Sequence, residues 1–109
     1  MSPTARTLAW CRKQGWTAAV VEKWNPHAKI RQDLFGWIDI VALDPVKERR
    51  VIGIQATSTP NVSARVKKIR SLDTHIAWIA CGGLILVIGW SKKGPRGKRK
   101  VWVSKEVWL

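Results

Sequence analysis

The stretch DLFGWIDIVALDPVKERRVIGIQATS, Asp33 to Ser58, decides the fold. Two apolar segments of strand length flank the charged turn DPVKERR. From Phe35 to Leu43, alternation puts Phe35, Trp37, Asp39, Val41 and Leu43 on one face and Gly36, Ile38, Ile40 and Ala42 on the other. Both faces are apolar, which predicts a strand covered on both sides. After the turn, Ile52, Ile54 and Ala56 point one way while Val51, Gly53, Gln55 and Thr57 point the other. Asp39 and Gln55 therefore stand inside strands that otherwise read as core.

Upstream, Ala5, Leu8, Ala9 and Cys11 fall at helical spacing and predict a helix over Thr4–Gln14, with Ser2 or Thr4 as cap and Gly15 as stop. WTAAVVEKW, Trp16–Trp24, is short and β-branched and predicts a strand, and NPHAKIRQ after it a basic loop. Downstream, Val62, Val66, Ile69 and Leu72 restart helical spacing, with Ser58, Thr59 and Asn61 as candidate caps. Asp73 is expected to cap a short helix that ends at Gly82 and Gly83. LILVIGW then reads as a buried strand, SKKGPRGKRK as a basic turn and VWVSKEVW as a strand returning in a hairpin. The order is helix, antiparallel three-stranded meander, helix, short helix, strand hairpin. That predicts a single α/β (α+β) domain, residues 1–109, with a mixed sheet flanked by helices.

Twenty Lys and Arg against seven Asp and Glu give a formal charge of +13. Such an excess calls for a polyanion, and nucleic acid comes first because phosphate neutralisation releases counterions. A membrane partner is not expected, since no apolar run approaches the roughly 20 residues of a spanning helix. The N-terminal stretch carries charges through its apolar part and shows no cleavage pattern, so a cytoplasmic, reducing compartment is expected. Cys11 and Cys81 lack metal or redox spacing and read as small core residues. Eight tryptophans with no tyrosine can serve as core or as stacking plates for bases.

A carboxylate inside a covered strand costs several kcal/mol unless a cation or metal pairs with it. The meander brings Asp33, Glu22, Gln55 and Thr57 toward the same sheet end as Asp39. Oxygen donors of this kind suit Mg2+ or Mn2+ better than zinc. A purely structural alternative stands beside this: Asp39 pairs with Arg31 or Lys29, Gln55 satisfies a backbone carbonyl and Asp33 caps a turn.

Layout and motif together resemble the PD-(D/E)XK nuclease superfamily, the fold of restriction endonucleases and archaeal-type Holliday junction resolvases. The resemblance covers residues 4 to about 90. WID, ending at Asp39, is similar to the family's PD element with Ile38 in place of Pro. VIGIQAT is similar to its (D/E)XK element, with Gln55 at the acidic position and Thr57 at the lysine position. The resemblance implies a restriction-endonuclease-like core and metal-dependent hydrolysis of phosphodiesters in DNA, including branched DNA. Asp39, Gln55, Thr57, Asp33 and Glu22 would then be catalytic, with Asp39, Gln55 and Asp33 holding Mg2+ or Mn2+. Asp33 or Glu22 would supply the missing carboxylate and Lys29, Lys67 or Lys68 the missing cation. Otherwise the site binds nucleic acid without cutting it.

The turn SKKGPRGKRK packs Lys92, Lys93, Arg96, Lys98, Arg99 and Lys100 into ten positions, a density that favours a phosphate-tracking arm over a solvated hairpin tip. Trp90 and Trp102 flank it, placed either to stack on unpaired bases or to pack the hairpin base. Lys29, Arg31, Arg65, Lys67 and Lys68 extend the expected nucleic-acid surface. A homodimer is expected for the nuclease reading, because one small unit has one site and a duplex has two strands. Charge alone would equally suit an RNA-associated basic protein, so RNA stays open beside DNA.

Overall fold

The computed structural model describes residues 1–109. In chain order its elements are α1 (Pro3–Lys13), β1 (Thr17–Val20), β2 (Lys23–Asn25), β3 (Ile30–Gln32), β4 (Ile40–Asp44) and β5 (Arg50–Ser58). There follow α2 (Val62–Ser71), α3 (Thr74–Ala80), β6 (Leu84–Lys93) and β7 (Val101–Trp108). Five strands form one sheet in the order β1-β4-β5-β6-β7, and β2 and β3 form a separate hairpin. β1, β4 and β5 pair antiparallel, β6 joins β5 in parallel and β7 returns antiparallel. The chain is thus mixed α+β with helices on both faces of a mixed sheet, as the sequence predicts. A parallel pair needs a long crossover, and α2 with α3 supplies it.

The sheet is the common wall of two apolar cores. On one face Cys11 of α1 packs with Ile40, Ala42, Ile52, Ile54, Leu86 and Ile88. On the other, Val62 and Ile69 of α2 pack with Trp37, Ile38, Ile85 and Val87. Each fully buried isoleucine stabilises the fold by roughly 1.5–3 kcal/mol, so the alternation along β5 and β6 fixes their register. α1 starts where Ser2 Oγ accepts the Ala5 N–H at 3.1 Å, which decides Ser2 over Thr4 as the cap. No helix is long and apolar enough to cross a membrane.

Several local expectations are corrected. The strand expected over Trp16–Trp24 ends at Val20, and Lys23–Asn25 belongs to the hairpin. The expected loop NPHAKIRQ supplies that hairpin's tip and its second strand, β3. Asn25 Oδ1 accepts the His27 and Ala28 N–H groups at 3.0 and 3.1 Å, a side-chain-stabilised turn that reverses the chain. The strand expected from Phe35 begins only at Ile40, because Phe35 (φ 56°) and Gly36 (φ 87°) form a left-handed turn. Neither Ser58, Thr59, Asn61 nor Asp73 caps a helix through its side chain. A 3-10 turn over Thr59–Asn61 leads into α2 instead. Cys11 is buried, its thiol pushed up to about 11 by desolvation, but Cys81 is exposed rather than core.

Gly53 on β5 lies under the indole of Trp37. A Cβ there would sit 2.7 Å from Trp37 Cη2, closer than carbon atoms approach, and the ring is wholly enclosed. Gly53→Ala is therefore expected to cost about 1–3 kcal/mol. The measurement is a lower urea midpoint with an unchanged m-value, and an unchanged midpoint would mean that the Trp37 ring is free to move.

Candidate metal and nucleic-acid site

Asp39 sits where β1, β4 and β5 meet at one end of the sheet. Its N–H donates to the Ile54 carbonyl at 2.8 Å and its carbonyl accepts the Val21 N–H at 2.9 Å, which carries the ladder one residue beyond β4. Glu22 follows Val21 directly. Asp33 arrives from the other side: Leu34 and Ile38 exchange two backbone hydrogen bonds of 3.0 Å around the Phe35–Gly36 turn, folding the chain back on itself. Carboxylate oxygens of Glu22, Asp33 and Asp39 consequently lie within 4.8 Å of one another.

Asp39 is 4% exposed and has no cation in contact. Its Oδ2 accepts the Gln55 side-chain amide at 2.7 Å and the Ala56 N–H at 2.9 Å. Hydrogen bonds to a charged group contribute about 1.5–3 kcal/mol each, against a several-kcal/mol cost of burying an unpaired carboxylate. The balance goes to the proton. Burial first, then a proton-sharing contact with Asp33 and the charges of Asp33 and Glu22, push the Asp39 carboxyl up to about 8, against the Ala56 N–H that lowers it.

Of the two ion pairs in the chain, both engage this cluster: Arg31 with Glu22 at 3.4 Å and Lys68 of α2 with Asp33 at 3.6 Å. The structural alternative for Asp39 thus fails in its particulars, since Arg31 goes to Glu22 and Lys29 stays exposed at the hairpin tip. Among Lys29, Lys67 and Lys68, only Lys68 reaches the acids; Lys67 and the half-buried Arg65 lie on α2 without ion pairs. Asp33 and Glu22 both arrive, so the sequence alternatives for the second carboxylate are not exclusive. Thr57 is buried on the Gln55 face of β5, two residues on.

Gln55 is 3% exposed, and its Oε1 has no hydrogen-bond partner. The amide presents Nε2 to Asp39 Oδ2, and turned over it would add Oε1 to the carboxylate oxygens as a further donor to a cation. The donor set is all oxygen, with no His or Cys, which fits Mg2+ or Mn2+. Charge fits as well: three carboxylates (−3) against Arg31 and Lys68 (+2) leave −1 when Asp39 is ionised. Both ion pairs have an exposed basic partner, and such pairs contribute at most about 1 kcal/mol, so an arriving divalent ion can displace them.

The basic turn leaves from the same end of the sheet. Ser58 at the end of β5 pairs with Trp90, and β6 continues beyond it through Lys92 and Lys93. Lys92, Lys93, Arg96, Lys98, Arg99 and Lys100 are all exposed and form no ion pair. Trp90 donates its indole N–H to Thr7 Oγ1 at 2.9 Å and is held against α1, so it is a packing residue. Trp102 is half exposed, with the Arg6 guanidinium 3.5 Å above its ring and Lys92 at 5.3 Å. Sequence reasoning passed over Arg6, since nothing local ties α1 to β7. Comparison of the chain with protein-family models, with curated proteins and with solved structures found no match.

Asp39 has an ordinary value of 3.8 and holds its proton to about pH 8 when folded. Between those values the folded state binds more protons than the unfolded state, so stability falls as pH rises. Asp44 works the other way: the Glu48, Lys47 and Val46 N–H groups lower its carboxyl below 3.8, so its contribution is constant above that pH. In metal-free buffer the melting temperature is expected to decline from pH 5 to 8, and Asp39→Asn to remove most of that decline. Equal slopes in the two proteins would contradict the assignment.

Proposed function

We propose that the chain is a small endonuclease that hydrolyses phosphodiester bonds in DNA with Mg2+ or Mn2+ held at the Glu22–Asp33–Asp39 cluster. The observation that carries this reading is the convergence of three carboxylates and the unpaired Gln55 Oε1 at one sheet end, beside the basic turn. Element order supports it: helix, antiparallel meander, helix, parallel strand is the restriction-endonuclease-like order, with Asp39 at the second strand of the meander and Gln55 on the third.

Asp39 is the anchor of the site, held in place by Gln55 and Ala56 and ready to give up its proton. Asp33 and Glu22 add charge that is only loosely neutralised. When bound, a divalent ion activates water for attack and neutralises charge on the scissile phosphate. Lys68, 3.6 Å from Asp33, would supply to a phosphate oxygen or the leaving group the positive charge that Thr57 lacks. The exposed arm Lys92–Lys100 and Arg6 hold the flanking backbone by counterion release. Thr57 in place of an ammonium favours one other reading, a binding module on the same scaffold that no longer cuts.

Purified chain incubated with supercoiled, single-stranded and junction DNA plus Mg2+ or Mn2+ is expected to cleave at least one form. Loss of one ligand-supporting contact costs metal sites 10–100-fold, so removal of the anchor in Asp39→Ala is expected to lower the rate by about 100-fold or more with binding retained. No cleavage of any DNA form, with salt-sensitive binding indifferent to metal and to Asp39→Ala, would favour the non-cutting module. Binding that prefers RNA over every DNA form would overturn the DNA assignment. Replacing Lys98, Arg99 and Lys100 together by Ala should reduce the slope of log K against log salt on duplex DNA by up to about 2.7, roughly 0.9 per phosphate contact. An unchanged slope would remove the arm from the interface.

A further inference from the structure

Two exposed tryptophans share one face of β7, and their surroundings differ in charge. Trp102 and Trp108 are 42% and 48% exposed, an even number of residues apart on the strand, and both meet the α1 side of the sheet, through Arg6 and Trp16. Trp108 borders a cleft lined by Asp44, Glu48 and Glu106 with one cation, Lys47. Trp102, at the other end of the strand, borders a cleft of about 220 Å3 whose walls include Arg6, Lys13, Trp10 and Trp90 and no acid.

The acid-free surroundings extend beyond that cleft. Residues 1–21, which supply α1, and residues 91–105, which supply the basic turn and both strand ends beside it, contain no Asp or Glu. The one acid on β7, Glu106, lines the other cleft.

Trp102 is held as a plate. The Arg6 guanidinium lies 3.5 Å from its ring centroid, and Arg6 Nη2 donates to the Met1 carbonyl at 3.2 Å. Lys92, paired with Trp102 across the strands, brings Nζ to 5.3 Å. Trp90 is fixed in the cleft wall by its indole N–H on Thr7 Oγ1. None of Arg6, Lys13 and Lys92 forms an ion pair. Tying α1 to β7 through an indole needs one cation. Gathering three at an exposed indole, with no acid to relieve their repulsion, suits a ligand that brings negative charge and a flat apolar surface together. A nucleotide of an unpaired strand has both, phosphate for the cations and a base face for the ring. A duplex keeps its base faces within its own stack and offers the phosphates alone.

We propose that Trp102, backed by Arg6, is the stacking site for one unpaired base, and that the chain grips DNA at a single-stranded segment. The site lies on the α1 face and Gln55 with the acids on the α2 face, both at the end from which the basic turn leaves. A strand held at Trp102 would reach the acids by crossing that end, along Lys92 and Lys93. The inference rests on the nucleic-acid part of the proposed function and not on cleavage, so it is tested in EDTA.

Fluorescence anisotropy compares three labelled ligands of equal length: a thymine single strand, a single strand of abasic residues and a duplex. Wild-type chain is expected to bind the thymine strand about 10-fold or more tighter than the abasic strand. Trp102→Ala should lose that advantage and leave abasic-strand and duplex binding unchanged, because indole and base act as one pair. Trp102→Phe, which keeps a ring, should retain most of the advantage. Arg6→Ala should lower the slope of log K against log salt on the thymine strand by about 0.7. Trp108→Ala should change none of these. Binding to no form of DNA would overturn the nucleic-acid reading together with this site. Equal binding of thymine and abasic strands, a Trp102→Ala loss of the same size on both, or an equal loss from Trp108→Ala would overturn the stacking site alone.

Discussion

Burial of the Asp39 carboxylate without a cation of its own is the constraint around which the rest of the site is arranged. Two hydrogen bonds, from Gln55 and from the Ala56 N–H, hold Oδ2 in place but do not neutralise it. Glu22 and Asp33 add negative charge nearby, and the only two basic side chains in contact stop at those outer acids. The Asp39 carboxyl answers by holding a proton. That is a poised state: a group held neutral by its surroundings ionises when a stronger positive charge arrives. The left-handed Phe35–Gly36 turn, Gly53 under Trp37 and the short pairing of Val21 with Asp39 all serve to bring these groups to one point.

Charge is distributed unevenly along the sheet. Three of the seven acids gather at the Asp39 end, and Asp44, Glu48 and Glu106 line one cleft with Trp10, Trp16 and Trp108 at the other. The cationic turn Lys92–Lys100 leaves from the Asp39 end.

Much of this was legible in the sequence where one physical signal dominated. Period-two alternation along Ile52–Thr57 placed Gln55 and Thr57 on a common face, because a strand buried on both sides leaves no freedom of register. Asp39 stood out because a carboxylate among Trp37, Ile38, Ile40 and Val41 has no local compensation. The meander's order followed from turn residues. What the sequence did not show was set by contacts distant along the chain. The β2–β3 hairpin depends on an Asn25 side chain closing a turn, and the late start of β4 on two consecutive left-handed residues, one of them Phe35. Nothing near Lys68 marks it over Lys67; the choice is made by the rotation of α2 on the sheet. Arg6 meets Trp102 across almost the whole chain. The exposure of Cys81 and of the α3 isoleucines runs against hydropathy altogether, and only the folded surface reveals it.

The central claim, that the Asp39 cluster is a divalent-cation site, is tested most directly by anomalous diffraction from crystals of the chain grown with Mn2+. The account predicts a manganese peak among the carboxylates of Asp39, Asp33 and Glu22, with the Gln55 amide turned so that Oε1 faces the ion. A map with no peak at this cluster under saturating Mn2+, and Gln55 Nε2 still on Asp39 Oδ2, would contradict it.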